Sequence, residues 1–423
     1  MNIAVVGSGI AGLTAAWLLG RRHEVTLFER QPRPGFTASS VAVPWRGQQW
    51  RVDVPLRVFY AGYYPTLVRL YGELGVATEA VSYATTFTGE DGVPFFRYRN
   101  LRLGSRSWAY VLPQDVAGQR ARRIVAGALR FHRQAPLALR RGELAGRSIG
   151  EYAAAAGYAP EFVDGLLLPA IATVCTCSYT FARGFPAEVI VDYLGRGLAR
   201  QSVRRATLGA DDAAARLLAG IGQVHCDARI EAVLPTAQGV ELQLADGSQP
   251  VFDHVVLATQ ANQALQLLRE ATPAERAVLG GFAYRPIEVV MHSDAALMPA
   301  QRRHWSAVNA MVCPDHDQPE STIWVNAVQP GLRGAPPVFQ TVHPLRTPRD
   351  ELVLGRARFE RPVVDAASQR ALQGLLALHA EPSRRTWLCG SYAQPGIPLL
   401  ESAVASAYAV AAAIDGAVAL NKA

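Results

Sequence analysis

The chain opens on Asn2 to Val6, apolar and branched after its first residue, followed by the glycine-broken run Gly7-Ser8-Gly9-Ile10-Ala11-Gly12. Leu13 to Leu19 carries a helical pattern and Glu24 to Phe28 a second short strand pattern, so the opening reads as strand, helix, strand. Pro65 suits a first helical turn and starts the helix predicted over Pro65 to Leu74. Ser82 to Thr88 and Val93 to Tyr98 flank Gly89-Glu90-Asp91-Gly92 and predict a hairpin. From Gln119 to Ile171 the periodicity is helical, with breaks expected at Pro136, Gly157 and Pro160. Strand patterns return at Ile230 to Val233, at Val240 to Leu244 and, past the turn Asp246-Gly247, at Val255 to Ala258. Ile287 to Met291, Thr322 to Val328, Val338 to Val342 and Thr386 to Cys389 also read as extended. Ser402 to Ile414 reads as a helix of small residues.

Composition narrows the class. With 423 residues, half of them hydrophobic and 18% charged, the chain has room for two or three domain-sized units and is not disordered. Its net charge is +7, yet Lys422 is its only lysine, and no long basic run is interleaved with aromatic residues. Nucleic acid is therefore not expected as a partner. Twelve arginines lie between Arg97 and Arg147 against only Asp115 and Glu143. A helix there, such as Ala126 to Arg141, either touches an anionic membrane surface, delivers a lipid-like or acidic substrate, or is simply solvated. The five cysteines are odd in number, and Cys175 and Cys177 are too close for a comfortable disulfide. They read as small buried apolar residues in a reducing cytoplasm, with no metal site. No apolar stretch reaches the roughly 20 residues that span a bilayer. Nor does a positive segment precede the apolar start, as a secretory signal requires. A cytoplasmic protein is expected, with peripheral membrane contact the one association left open, and nothing bears on its oligomeric state.

The sharpest chemical signal is Gly7-x-Gly9-x-x-Gly12. Gly7 permits a tight turn out of the strand, Gly9 has no Cβ to obstruct a diphosphate, and Gly12 allows close helix–strand packing. Glu29 ends the next strand 22 residues after Gly7, near the roughly 20 expected for a carboxylate that binds a ribose. An acid there disfavours a 2′-phosphate and leaves NAD or FAD.

Glu29-x-x-x-Arg33-x-Gly35 resembles the stretch that follows the ribose acid in FAD enzymes of the amine-oxidase and phytoene-desaturase kind. Four further segments carry the resemblance. Val52-Asp53, Val58-Phe59, Tyr64-Pro65-x-Leu67 and Glu73-Leu74-Gly75-Val76 match its second block. Ile149-Gly150-Glu151-Tyr152, Leu168-Pro169-Ala170 and Phe185-Pro186-Ala187 match its middle. Asp253 to Thr259 resembles the strand with the ATG-type motif, and Trp387-Leu388-Cys389-Gly390 with the helix near Glu401 resembles the C-terminal flavin motif. The subgroup most resembled is the bacterial FAD-binding proteins associated with cyclopropane fatty acid synthases. Phe36 stands where the family has a second glycine, Pro55 where the subgroup has the glycine of an Asp-Thr-Gly block, and Ser391 where many relatives have an acid or a small residue.

The resemblance implies an α/β protein, with a Rossmann-type FAD domain (1–75, 205–265, 385–423) interleaved with a sheet-and-helix substrate domain (76–204, 266–384). It implies non-covalent FAD held by Gly7, Gly9, Ile10, Ala11, Gly12, Glu29, Arg30, Arg33, Ile230, Ala258, Thr259, Gly390, Ser391, Leu400, Glu401 and Ala403. FAD itself accepts the hydride, so few protein groups need to act. Arg57 lies four residues after Asp53, where its cation could stabilise a reduced flavin or a carboxylate substrate, or merely sit in an ion pair. Tyr60, Tyr63 and Tyr64 either line a substrate cavity or pack, and His292, His304 and His343 are candidate proton handlers. With Lys422 in the tail, no lysine is available to hold water beside the flavin, as many amine oxidases require. The expected function is two-electron dehydrogenation, C–C or C–N, of a bulky and largely apolar small molecule bearing at most one anionic group. The apolar run Leu166 to Val174 is expected to help wall its site. The alternatives are an FAD-dependent isomerase or desaturase without net redox change, and a non-catalytic flavin-binding partner protein.

Overall fold

In the computed structural model, which describes residues 1–36, 40–103, 106–198 and 200–416 and the backbone alone of 417–421, five parallel strands come together from three distant parts of the chain. β1 (Asn2–Val6), whose Ile3, Ala4 and Val5 are fully buried, is central. On one side it pairs with β2 (Glu24–Phe28), and beyond that lies Gln223–His225; on the other it pairs with His254–Leu257, and beyond that lies Thr386–Leu388. Numbered along the chain, the spatial order is 3-2-1-4-5, which reverses direction at β1 and places a crevice at its carboxyl end. Strands buried on both faces read as continuous apolar runs rather than alternating ones, as β1 and β2 do.

Between β1 and β2 runs α1 (Ile10–Leu19), apolar on all sides because it is covered twice. One side meets the sheet. The other meets the C-terminal helix (Leu400–Asn421), whose small residues Ala403, Ala407 and Ala411 let the two axes approach closely. The β1–α1 turn is set by backbone contact: a Cβ on Gly12 would stand 1.9 Å from the Gly7 carbonyl oxygen, and Gly7 itself has φ +99°. Only glycine satisfies both positions.

The second unit is an eight-stranded sheet drawn from residues 85–110 and 284–362. Its long strands Tyr284–His292 and Val353–Pro362 pair antiparallel and face the crevice of the parallel sheet. Helices between residues 119 and 195 form an apolar cluster against α1 and α2 (Pro65–Leu74), and Ser148 with Glu151 closes a capping box on one of them. No helix among the described residues is long and apolar enough to cross a membrane.

Several elements differ from their sequence pattern. Pro136 does not break a helix: α3 (Gln119–Arg140) runs through it. The carbonyl that loses its bond belongs to the exposed His132, where water can replace it, and the ring of Pro136 packs beside Gly195. The outer face of α3 carries Arg122, Arg133 and Arg140 beside exposed Leu129 and Leu137. Thr322 to Val328 is not extended throughout, because the strand ends at Trp324 and Val325–Val328 turns helical. There the Asn326 side chain bonds the carbonyls of Leu332, Ala335 and Pro336, local bonds that compete with a sheet ladder.

The turn yields a paired test. Gly12→Ala should lower stability by about 1–3 kcal/mol or more through overpacking against the backbone. Gly72→Ala, on the exposed side of α2 with nothing within 4 Å of the added Cβ, should raise it by about 0.5–1 kcal/mol. Thermal midpoints of the two variants read the difference.

Candidate functional site

Four of the sequence motifs leave the carboxyl ends of parallel strands at one level. The Gly7 N–H donates to the Phe28 carbonyl (2.8 Å), the Ala258 N–H to Val6 (2.9 Å), the Cys389 N–H to Leu257 (3.0 Å) and the Glu29 N–H to His225 (2.8 Å). Above them lies a cavity of about 330 Å³. Gly9, Ile10, Ala11, Ala258, Thr259, Gly390, Ser391, Leu400 and Ala403 line it from the parallel-sheet side. Tyr284, Phe359, Arg361 and Pro362 line it from the antiparallel sheet, with the Pro55–Val58 loop and Tyr64 between.

The first turn of α1 has no side-chain cap and no acidic residue, so its N–H groups are left to whatever occupies the cavity. Those donors and the positive end of the helix dipole make an anion site. A Cβ built on Gly9 meets no protein atom within 4 Å, so the space beside it is open for a ligand. Glu29 is buried, and its carboxylate is held in place. Oε2 accepts from the Ser8 N–H (2.9 Å) and hydroxyl (2.6 Å), and Oε1 from the Gln31 N–H (2.8 Å). Of about four lone-pair positions on a carboxylate, one is left for a ligand hydroxyl. The donor set fits a dinucleotide, with the diphosphate at α1 and a ribose at Glu29.

Arg57 enters the cavity wall over the ring of Phe36, 4.9 Å from its centroid, and donates to the Phe36 carbonyl. Burial pushes its guanidinium below the usual range while the nearby Asp53 opposes that shift; the Arg57 Nε has no partner. Asp53 is pushed above the usual carboxylate range by burial, and its carboxylate accepts from the Ala210 N–H at 3.2 Å. Phe36, in place of a second glycine, thus serves as the platform for Arg57.

Other sequence-selected residues lie elsewhere. Gly7 and Gly12 shape the turn, as above. Arg30 and Arg33 are exposed and do not border the cavity, and Ile230 is a core residue of the strand Ile230–Pro235. Glu401 faces α2, where its two oxygens accept from the Thr66 and Leu67 N–H groups at 3.0 and 2.9 Å and cap that helix. Tyr60 is fully buried with its hydroxyl on the Tyr193 carbonyl, so it packs rather than lines the cavity. Tyr63 is also buried, its hydroxyl accepting from the Ile397 N–H at 2.8 Å, and Tyr64 alone of the three reaches the cavity wall. Leu166 to Val174 belongs to the helical core. His292, His304 and His343 stand outside the cavity. His292 is buried, pushed down to about 4, and spends its ring on the Thr341 hydroxyl and the Asp294 N–H, so it is neutral at physiological pH.

Tyr284, Gln260, Phe359 and Arg361 border the cavity without having been singled out in the sequence. A signal existed for one. Along Val353–Pro362 the inward phase is Ala357, Phe359, Arg361, and a cation in that phase is out of place in an alternating strand.

Residues 5–74 match the family model of an NAD(P)-binding Rossmann-like domain. Over nearly the whole chain the structure is similar to the cyclohexylamine oxidase of Brevibacterium oxydans IH-35A (TM-score 0.66, 12% identity, covering 98% of this chain and 99% of that one). It is similar also to putrescine oxidase bound to putrescine (0.64, 14%, 98% and 99%) and to a CLA-producing fatty acid isomerase from P. acnes (0.63, 14%, 97% and 97%). At such identities the likeness speaks for the fold. By fold, then, this chain is a two-domain α/β protein of amine-oxidase-like architecture with a Rossmann-type domain.

Proposed function

We propose that the protein binds FAD non-covalently in this cavity and catalyses two-electron dehydrogenation, at a C–C or C–N bond, of a bulky and largely apolar small molecule. The carrying observation is the convergence of the uncapped α1 N-terminus with the loops of two other parallel strands on one cavity. The Ile10 and Ala11 amides would hold the diphosphate, Glu29 a ribose hydroxyl, and Gly390, Ser391 and Leu400 the far end of the cofactor. Bound FAD supplies the hydride acceptor. Leu56, Val58, Tyr284 and Phe359 supply apolar walls that exclude water from the reacting centre. Among the described residues, neither cysteine nor histidine lines the cavity, which supports a cofactor held without a covalent bond. Likeness to oxidases supports the oxidoreductase reading, and likeness to a fatty acid isomerase favours a second one, in which the same site acts without net redox change.

The purified protein should be yellow and should release intact FAD on heat denaturation. Gly9→Val should abolish the colour while leaving the fold intact, because a Cβ on Gly9 meets no protein atom within 4 Å and its added methyl groups would enter the space proposed for the diphosphate. A colourless protein carrying NAD would overturn the cofactor assignment. Glu29→Ala should weaken FAD affinity by about 1.5–3 kcal/mol, the worth of a hydrogen bond to a charged group, as read by equilibrium titration of the apoprotein. Anaerobic addition of substrate separates the two reactions. Dehydrogenation bleaches the flavin stoichiometrically, whereas isomerisation yields product with the oxidised spectrum restored.

A further inference from the structure

Two guanidinium groups border the cavity, and their charges are met differently. Arg57 has Asp53 in its field. Arg361, on the strand Val353–Pro362, has no ion pair with a carboxylate among the described residues, and its one hydrogen bond goes to the Pro398 carbonyl at 3.3 Å. Its electrostatic neighbours are the Cys175 thiol and the Tyr64 phenol, which burial pushes well above their ordinary values, so both are neutral at physiological pH. The contrast along this strand is sharp. Arg356 and Arg358 stand in the outward phase and pair with Asp350 and Glu288, while Arg361 stands in the phase of Ala357 and Phe359. Glu360, at the cavity rim, is exposed and within 3.5 Å of the Asn262 amide.

Arg361 is half-buried and, among the described residues, meets no carboxylate, only the Pro398 carbonyl, so its charge carries an uncompensated desolvation cost. Arg57 adds a second positive charge to the same cavity. We propose that Arg361, assisted by Arg57, is the binding site for a carboxylate on the substrate, which is therefore an apolar molecule ending in a single carboxylate rather than an amine. The inference rests on the flavin reading of the cavity and names the substrate class for it. The planar guanidinium fork matches a carboxylate with two parallel bonds. The apolar residues around it, Leu56, Val58, Tyr64 and Phe359, suit a hydrocarbon body. A primary ammonium placed there would meet two like charges.

The anionic oxygen could instead belong to the cofactor, and the test separates the sources. The yellow holoprotein is titrated with decanoate, decanol and decylamine below their micellar concentrations, following both the flavin spectrum and the heat of binding. Decanoate should bind at least tenfold more tightly than decanol, and decylamine more weakly than either. Arg361→Gln should remove the decanoate advantage with FAD content per chain unchanged, and Arg361→Lys should restore part of it. Equal binding of decanoate and decanol by the holoprotein would overturn the proposal. So would an Arg361→Gln protein that loses FAD but keeps the decanoate preference, which would assign the arginine to the cofactor. Absence of flavin would instead end the cofactor reading. In that case the calorimetric comparison of the three ligands still decides whether Arg361 binds a carboxylate.

Discussion

Everything in the crevice depends on how closely α1 can approach the end of β1. The Gly7 carbonyl and the Gly12 Cα are packed so tightly that no side-chain atom fits between them, and this contact aims the helix axis at the reversal point of the sheet. Moved outward by one methyl group, the first-turn amides would no longer share a cavity with the loops after Leu257 and Leu388. The anion site is therefore a product of backbone packing, and the side chains around it refine a position that glycine makes available.

The cavity has two walls of different chemistry. The parallel sheet contributes backbone amides and small residues, suited to a polar ligand. The antiparallel sheet contributes Tyr284, Phe359 and Arg361, large and amphipathic, suited to a mostly apolar ligand. Arg57 and its Phe36 platform lie between the two. The division explains how one fold can serve different chemistries: the first wall is set by the backbone and the second is free to vary.

What could be read from the sequence follows the range of the forces involved. β1, β2 and α2 were legible almost to the residue, because a buried parallel strand and a proline-started helix are specified locally. The glycine loop and Glu29 were legible because their spacing encodes a turn and a strand length. The hairpin Val41–Trp45 with Gln48–Val52, short and half exposed, has no such local signature. Glu401 shows the limit most clearly. Its place after the last loop suggests the cofactor, yet its partners are amides of α2 more than 300 positions away. Tyr60 is similar, since only the fold reveals that the Tyr193 carbonyl takes its hydroxyl. Arg361 was missed because a strand dense in arginines hides the one whose phase points inward.

The pairing of β1 with His254–Leu257 has a consequence for synthesis. As the chain leaves the ribosome, the first β-α-β unit is made with one long edge of its central strand bare, and the strand that covers it emerges some 250 residues later. The last parallel strand follows only at Thr386. A nascent chain thus carries an apolar, open-edged half-sheet through most of its translation, a template for pairing with other chains. Such long-range topology folds slowly. The interleaving that builds the crevice thus leaves that edge of β1 without its partner until His254–Leu257 has been made.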